Sequence, residues 1–277
     1  MNIRDFFPPV IFKIKSKLFN NNKNSLKKER YISYKDAQAN CINNDYQNTE
    51  LCNVIADKTL IFRDKLIIES NILNSTNVFL LAAILKESNN YQNKLFTVLD
   101  FGGSCGTHYF EIRKYLPELF KLKWIVVETE QMVKSALAKK LDNNELIFID
   151  SLNNLPHIDF VYSSCAIQYT SNPYLFLEEL LKLGANALIF NRMMFNENDN
   201  DIITVQKSFL SENGPGPLPK SYTDKLISYP HTTLSFKKFS ESVLQTYRLN
   251  WMFNETTGSY KIGNESIIGR GLFYSKK

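Results

Sequence analysis

Between residues 95 and 190, short apolar runs alternate with stretches of helical period, and this alternation predicts the fold class. Runs at 95–100, 123–128, 145–149, 158–163 and 186–190 are mostly apolar, as strands covered on both faces are. Helical spacing fills the intervals at about 107–116 and 130–140, and returns after residue 171. That last helix is well punctuated, with Ser171 or Asn172 as N-cap, Pro173 at its first position and Gly184 past its end. Buried strands separated by helices predict a parallel α/β sheet wound on both faces. Two more strand-like runs, 249–254 and 267–274, follow a helix capped by Ser235. The turn-rich stretch between them makes them antiparallel neighbours. The expected sheet is therefore seven-stranded, mostly parallel, with an antiparallel C-terminal strand.

The flanks read differently. From Ser33 to about Lys86 the pattern is helical, with Ser33 and Asp36 as a capping box and Thr49 as the cap of the next helix. Residues 31–90 are thus expected to form a helical cap on a main domain at 91–277. In residues 1–30, Pro8 and Pro9 open a short helix with Phe7, Val10, Ile11, Ile14 and Leu18 on one face and Lys13, Lys15 and Lys17 off it. This amphipathic, basic segment suits either peripheral contact with anionic lipid through residues 1–20 or docking on the protein's own body. The run Asn20 to Asn24 reads as a linker. Residues 192–234 read as an acidic, Asn-rich loop followed by Gly214-Pro215-Gly216-Pro217-Leu218-Pro219, a lid over an acceptor.

Composition narrows the function classes. The 277 residues are 44% hydrophobic and 22% charged, ordinary for a globular protein. A net charge of +5 is modest for this length and does not by itself argue for nucleic acid, which usually meets a concentrated basic face, so no nucleic-acid partner is expected. Cys41, Cys52, Cys105 and Cys165 are scattered without a CxxC pair, as free thiols in a reducing cytoplasm are. No apolar run approaches the roughly 20 residues that span a bilayer. The expected location is cytoplasmic, with the inner face of the membrane open to the N-terminal segment.

The chemistry gathers at strand ends. The first strand ends at Asp100 and runs into Gly102, Gly103 and Gly106, then a helix opens. Bare backbone there lets a nucleoside-like ligand approach, and the helix start offers unpaired N–H groups. Glu128 ends the second strand about 20 residues further on, where an acid accepts both ribose hydroxyls. Asp150 ends the third strand and suits an adenine amino group, with Ile149 or Ser151 against the ring. An acid at position 100 would oppose the pyrophosphate of NAD but tolerates the amino group and sulfonium of S-adenosylmethionine. The loop Ser163 to Tyr169 after the fourth strand should face the reacting methyl, with Cys165 as a packing cysteine. His108 and His231 are alternative general bases, and Arg192 could grip a phosphate or carboxylate. Glu197, Asp199 and Asp201 read as a solvated loop and no metal site, because no acid in the strand-four loop completes one.

A parallel sheet ending in an antiparallel hairpin strand is the Rossmann-like arrangement of class I methyltransferases. The phrases VLDFGGSCG, WIVVETEQMV, SSCAIQYTSNPYLFLEELL, IFNRMMF, DIITVQK and SYPHTTLS occur in that order along the chain. Together they resemble an uncharacterised family of class I S-adenosylmethionine-dependent methyltransferases encoded among bacterial surface-polysaccharide and O-antigen genes. The resemblance implies S-adenosylmethionine as cofactor and a small-molecule or lipid-linked sugar as acceptor. It places Gly102, Gly103 and Gly106 in the cofactor turn and Glu128 on the ribose. Gln168, Tyr169, Arg192, Gln206, Tyr229 and Pro230 fit its other characteristic positions. His231-Thr232-Thr233 departs from the family's aromatic pair, and Asn191 stands where an acid is expected. The alternatives are an NAD-dependent sugar-modifying enzyme and a non-catalytic cofactor-binding scaffold.

Overall fold

A computed structural model describes residues 29–42, 48–66, 73, 75–89, 94–255 and 259–277. The amphipathic segment, its lipid contact and the Asn20 to Asn24 linker lie outside the described residues. Helices α1 (Tyr34–Ala39), α2 (Thr49–Leu66) and α3 (Ser75–Ser88) come first. Ser33 caps α1 by accepting from the Asp36 amide at 3.1 Å, and Asp36 reaches back to the Ile32 amide at 3.4 Å. Helix α2 is capped by Asn48 rather than the expected Thr49. The Asn48 Oδ1 accepts from the Glu50 amide at 2.9 Å, while Thr49 lies inside the helix.

The α/β alternation follows: β1 (Phe96–Phe101), α4 (Thr107–Arg113), β2 (Leu122–Val127), α5 (Glu130–Ala138), β3 (Leu146–Ile149) and β4 (Phe160–Ser164). A 3-10 turn at Ile167–Tyr169 leads to α6 (Pro173–Lys182), capped by Asn172, whose Oδ1 accepts from the Leu175 amide at 3.2 Å. Strand β5 (Ala187–Asn196) runs six residues beyond the apolar core of the pattern. The segment expected as a loop then forms two strands, β6 (Ile202–Phe209) and β7 (Leu226–Ser235), joined through a 3-10 turn at Leu210–Glu212. Helix α7 (Phe236–Leu244) and strands β8 (Tyr247–Asn254), β9 (Tyr260–Ile262) and β10 (Glu265–Lys276) complete the chain.

The main sheet runs β3-β2-β1-β4-β5-β10-β8. Its first five strands are parallel, and β10 is antiparallel to both neighbours. All six residues of β1 are buried, as befits the centre of a sheet covered twice. One face packs Trp124, Phe160 and Phe273 against α2 to α5, and the other packs Phe190, Phe195 and Tyr274 against α6 and α7. Strands β6 and β7 form an antiparallel hairpin, and β7 joins the sheet only beside the end of β5, at Phe195 and Asn196. No helix of the described residues is long and apolar enough to cross a membrane. All four cysteines are free.

Candidate functional site

The carboxyl ends of β3, β2, β1, β4 and β5 stand in that order along one rim, and a cavity of about 1640 Å³ opens over it. The connections reverse between β1 and β4, the place where open α/β sheets bind ligands. The volume exceeds the roughly 300–1,000 Å³ of a single small-ligand site. It leaves room for two molecules.

The glycine turn forms the floor. Gly102 has φ +71° and donates its N–H to the Val127 carbonyl at 2.9 Å. A Cβ on Gly102 would meet the Ala166 Cβ at 2.1 Å, and one on Gly103 would meet the Asp100 Cγ at 2.4 Å. The chain therefore folds directly over Asp100, possible only without side chains at these positions. Gly106, also expected at the cofactor, lies off the cavity wall. Its missing Cβ makes room for Leu146 and Phe148, so it serves helix–strand packing.

Asp100 is completely buried beneath the turn and does not reach the wall. Its Oδ2 accepts from Trp124 Nε1 at 3.1 Å and faces His108 Nδ1 at 3.1 Å. A carboxylate oxygen at this place favours the tautomer that carries its proton on Nδ1. His108 lines the cavity, held edge-on against Tyr162 with ring centres 4.9 Å apart.

Glu128 lines the cavity from the end of β2. Its Oε1 accepts from the Ser104 amide at 3.0 Å and its Oε2 from the Thr129 amide at 2.9 Å. Burial pushes its carboxyl up to about 7, opposed by those two N–H bonds and assisted by the charge on Asp100. Asp150 is exposed on the same wall. Ser151 is off it, its hydroxyl turned to the Asn153 amide at 3.1 Å. Ser163 is also off it, buried within the sheet opposite Phe101 and Phe190. Successive strand residues face opposite sides, and Ser164 takes the lining position instead.

His231, expected on a loop, lies in β7 opposite Thr204. It is buried behind the Tyr169 ring, centres 5.0 Å apart, and does not line the cavity. Arg192 does line it. Its backbone takes φ +56° where the β5–β10 register slips, and its N–H donates to Glu255 Oε1 at 2.7 Å. The acids of 197–201 pair elsewhere: Glu197 with Arg270 at 2.9 Å, Asp199 with Lys237 at 3.1 Å and Asp201 with Lys238 at 3.5 Å. None of them lines the cavity, and the described residues contain no cluster suited to a metal.

Other residues at and behind the wall carry no individual signal in the sequence. Tyr169 donates its hydroxyl to Gln206 Oε1 at 2.8 Å, and its carbonyl accepts from the Tyr34 hydroxyl at 2.9 Å. Gln168 is buried and ties the turn to the β5 bulge, donating to the Arg192 carbonyl at 3.3 Å and accepting from the Met194 amide at 2.9 Å. Cys165 lines the wall with φ +57°. Glu111, Thr76 and Asn77 come from helices whose spacing marks only packing faces.

The strand order, with one antiparallel strand between the fifth and the last, is the Rossmann-like fold of class I methyltransferases. Solved structures similar to this chain include an S-adenosylmethionine-dependent methyltransferase from Clostridium acetobutylicum, with TM-score 0.44 and 14% identity over 79% of this chain and 98% of that one. The N-terminal domain of EvdMO1 with S-adenosylhomocysteine bound gives TM-score 0.46 and 9% identity over 80% and 97%. Magnesium protoporphyrin IX methyltransferase from Synechocystis with S-adenosylmethionine bound gives 0.43 and 14% over 82% and 97%. No protein-family model matches the chain, and no curated protein matches it.

Proposed function

We propose that the chain is an S-adenosylmethionine-dependent methyltransferase acting on a hydroxyl of a sugar or glycan precursor. The observation that carries this reading is Glu128, held at the cavity wall by backbone N–H groups on both oxygens. A carboxylate has about four lone-pair sites, so two bonds leave capacity for two ribose hydroxyls. The Cβ-free surfaces of Gly102 and Gly103 fit a close-lying nucleoside, and Asp150 stands at the next strand end for its amino group. Phe101 and Phe176, centres 5.5 Å apart, add apolar wall for a ring. The cofactor supplies an electrophilic methyl on a sulfonium.

At the far side, Tyr169, Gln206, Ser208 and Tyr229 line the cavity with hydroxyls and an amide, the groups that bind sugars. The family phrases are what point to surface-polysaccharide precursors. His108 is the base in this reading, because it lines the cavity while its Nδ1 is engaged by Asp100. Nε2 takes the hydroxyl proton as the oxygen is methylated. Orientation of the two reactants within the cavity supplies the rest.

Calorimetry with S-adenosylhomocysteine tests the reading. The native chain should bind it, and Glu128→Ala should weaken binding by about tenfold or more, near 1.4 kcal/mol. No binding, or binding indifferent to that substitution, overturns it.

A further inference from the structure

Resting on that reading of the cavity, we propose that the acceptor carries a phosphoryl group, held by Arg192, Lys207 and Lys35. These cations come from β5, β6 and α1, elements far apart in sequence, yet all three line the same cavity. Among the described residues, none of their side chains has a hydrogen-bond or ion-pair partner. Other cations nearby are engaged: Arg270 pairs with Glu197, Lys225 with Glu50 and Lys58 with backbone carbonyls.

The three positions are gathered by one hub, the turn at Tyr169. Tyr34, next to Lys35, bonds the Tyr169 carbonyl at 2.9 Å. Gln206, next to Lys207, accepts from the Tyr169 hydroxyl at 2.8 Å. Gln168, next to Tyr169, bonds the Arg192 carbonyl at 3.3 Å. The backbone positions of the three cations are thus tied to one turn, and all three residues line the cavity. Both Arg192 and its neighbour across the strand end, Cys165, sit in the left-handed region, at φ +56° and +57°. Strained backbone of this kind collects at active sites and ligand clamps.

The ligand chemistry follows from the charges. Among the acids on this side, Glu255 accepts the Arg192 backbone N–H at 2.7 Å and its charge also acts on the guanidinium, while Glu212 spends one oxygen on the Phe209 amide at 2.8 Å. A planar fork flanked by two point charges matches a phosphoryl group better than a neutral sugar face. The carboxylate of the methyl donor is the other anion to consider. Arg192 stands on β5, two strands along from the glycine turn, roughly 10 Å at about 4.8 Å per strand. That distance favours the acceptor.

Titration calorimetry with pyrophosphate at constant ionic strength, with and without saturating S-adenosylhomocysteine, tests the assignment. One site is expected, weakened about tenfold by Arg192→Gln and severalfold by Lys207→Gln, an exposed strand position that tolerates change. Affinity for S-adenosylhomocysteine should stay within twofold in both variants. No pyrophosphate binding in either arm overturns the proposal, as does tighter binding of malonate. A loss confined to S-adenosylhomocysteine in Arg192→Gln also overturns it and reassigns the arginine to the donor. Failure of the native chain to bind S-adenosylhomocysteine sinks the methyltransferase reading instead, and the arm without it still decides the phosphoryl site.

Discussion

A methyl group added at Gly103 would press on the Asp100 carboxyl carbon at 2.4 Å, and Asp100 has no room to retreat because it is fully buried. Gly103→Ala should therefore break the bonds from Trp124 and His108 and cost about 2–4 kcal/mol, the range for disrupting a buried charged network. Urea denaturation would read the loss, and S-adenosylhomocysteine binding should fall with it. Glu128 gives a pH signature. Its carboxyl rises from 4.5 to about 7 on folding, so between those values the native state holds more proton than the unfolded one. Stability of the ligand-free protein should then fall as pH rises from about 4.5 to about 7, by up to roughly 3 kcal/mol, and Glu128→Gln should flatten the curve. The places of Gly102, Gly103 and Glu128 at the rim are legible in the sequence because they are local to a strand end. Asp100 misleads for the opposite reason. Its partner Trp124 lies on the next strand, and nothing local tells a buried carboxylate from a lining one. Ser163 and Ser164 differ only by strand parity, which a one-residue uncertainty in register erases.

At the scale of elements, the hairpin of β6 and β7 is the largest departure from the pattern. Ile202 to Phe209 carries the β-branched and aromatic residues of a strand, but Pro230 and the glycine–proline run around residue 216 argue for a loop. Pro230 is tolerated because most of β7 has only β6 beside it, leaving its other edge without a ladder to complete. The hairpin is tied down by Lys58 of α2, which is buried and donates to the carbonyls of Ser211, at 2.8 Å, and Asn213. Burial lowers the pKa of this ammonium, and the carbonyls hold it in place. Lys58→Met leaves both carbonyls without their donor and should cost about 2–4 kcal/mol. Hydrogen exchange should quicken in residues 202–213 before the sheet is affected. The helices and central strands are legible because burial on both faces and caps such as Asn172 write themselves into a few adjacent residues. The hairpin depends on a lysine more than a hundred residues away.

For the molecule as a whole, the parallel sheet and its antiparallel C-terminal strand follow from the alternation of elements and from the two final strands, all visible in sequence. What the sequence cannot display is that three separate regions meet over one rim: the glycine turn, the β5 bulge and the N-terminal helices. The rim supplies one side of the cavity from adjacent strand ends, and the helices with the hairpin supply the other side. Those two halves differ in legibility because the first is built from neighbours in a sheet and the second from distant surfaces brought together.

The loop after the hairpin's 3-10 turn is riveted to α2 at further points, Tyr222 to Asp57 at 2.7 Å and Lys225 to Glu50, beside the Lys58 anchor. This wall is masonry rather than a door. Any ligand of this cavity must be sorted as it passes a standing entrance, and cannot rely on that side of the chamber to swing aside.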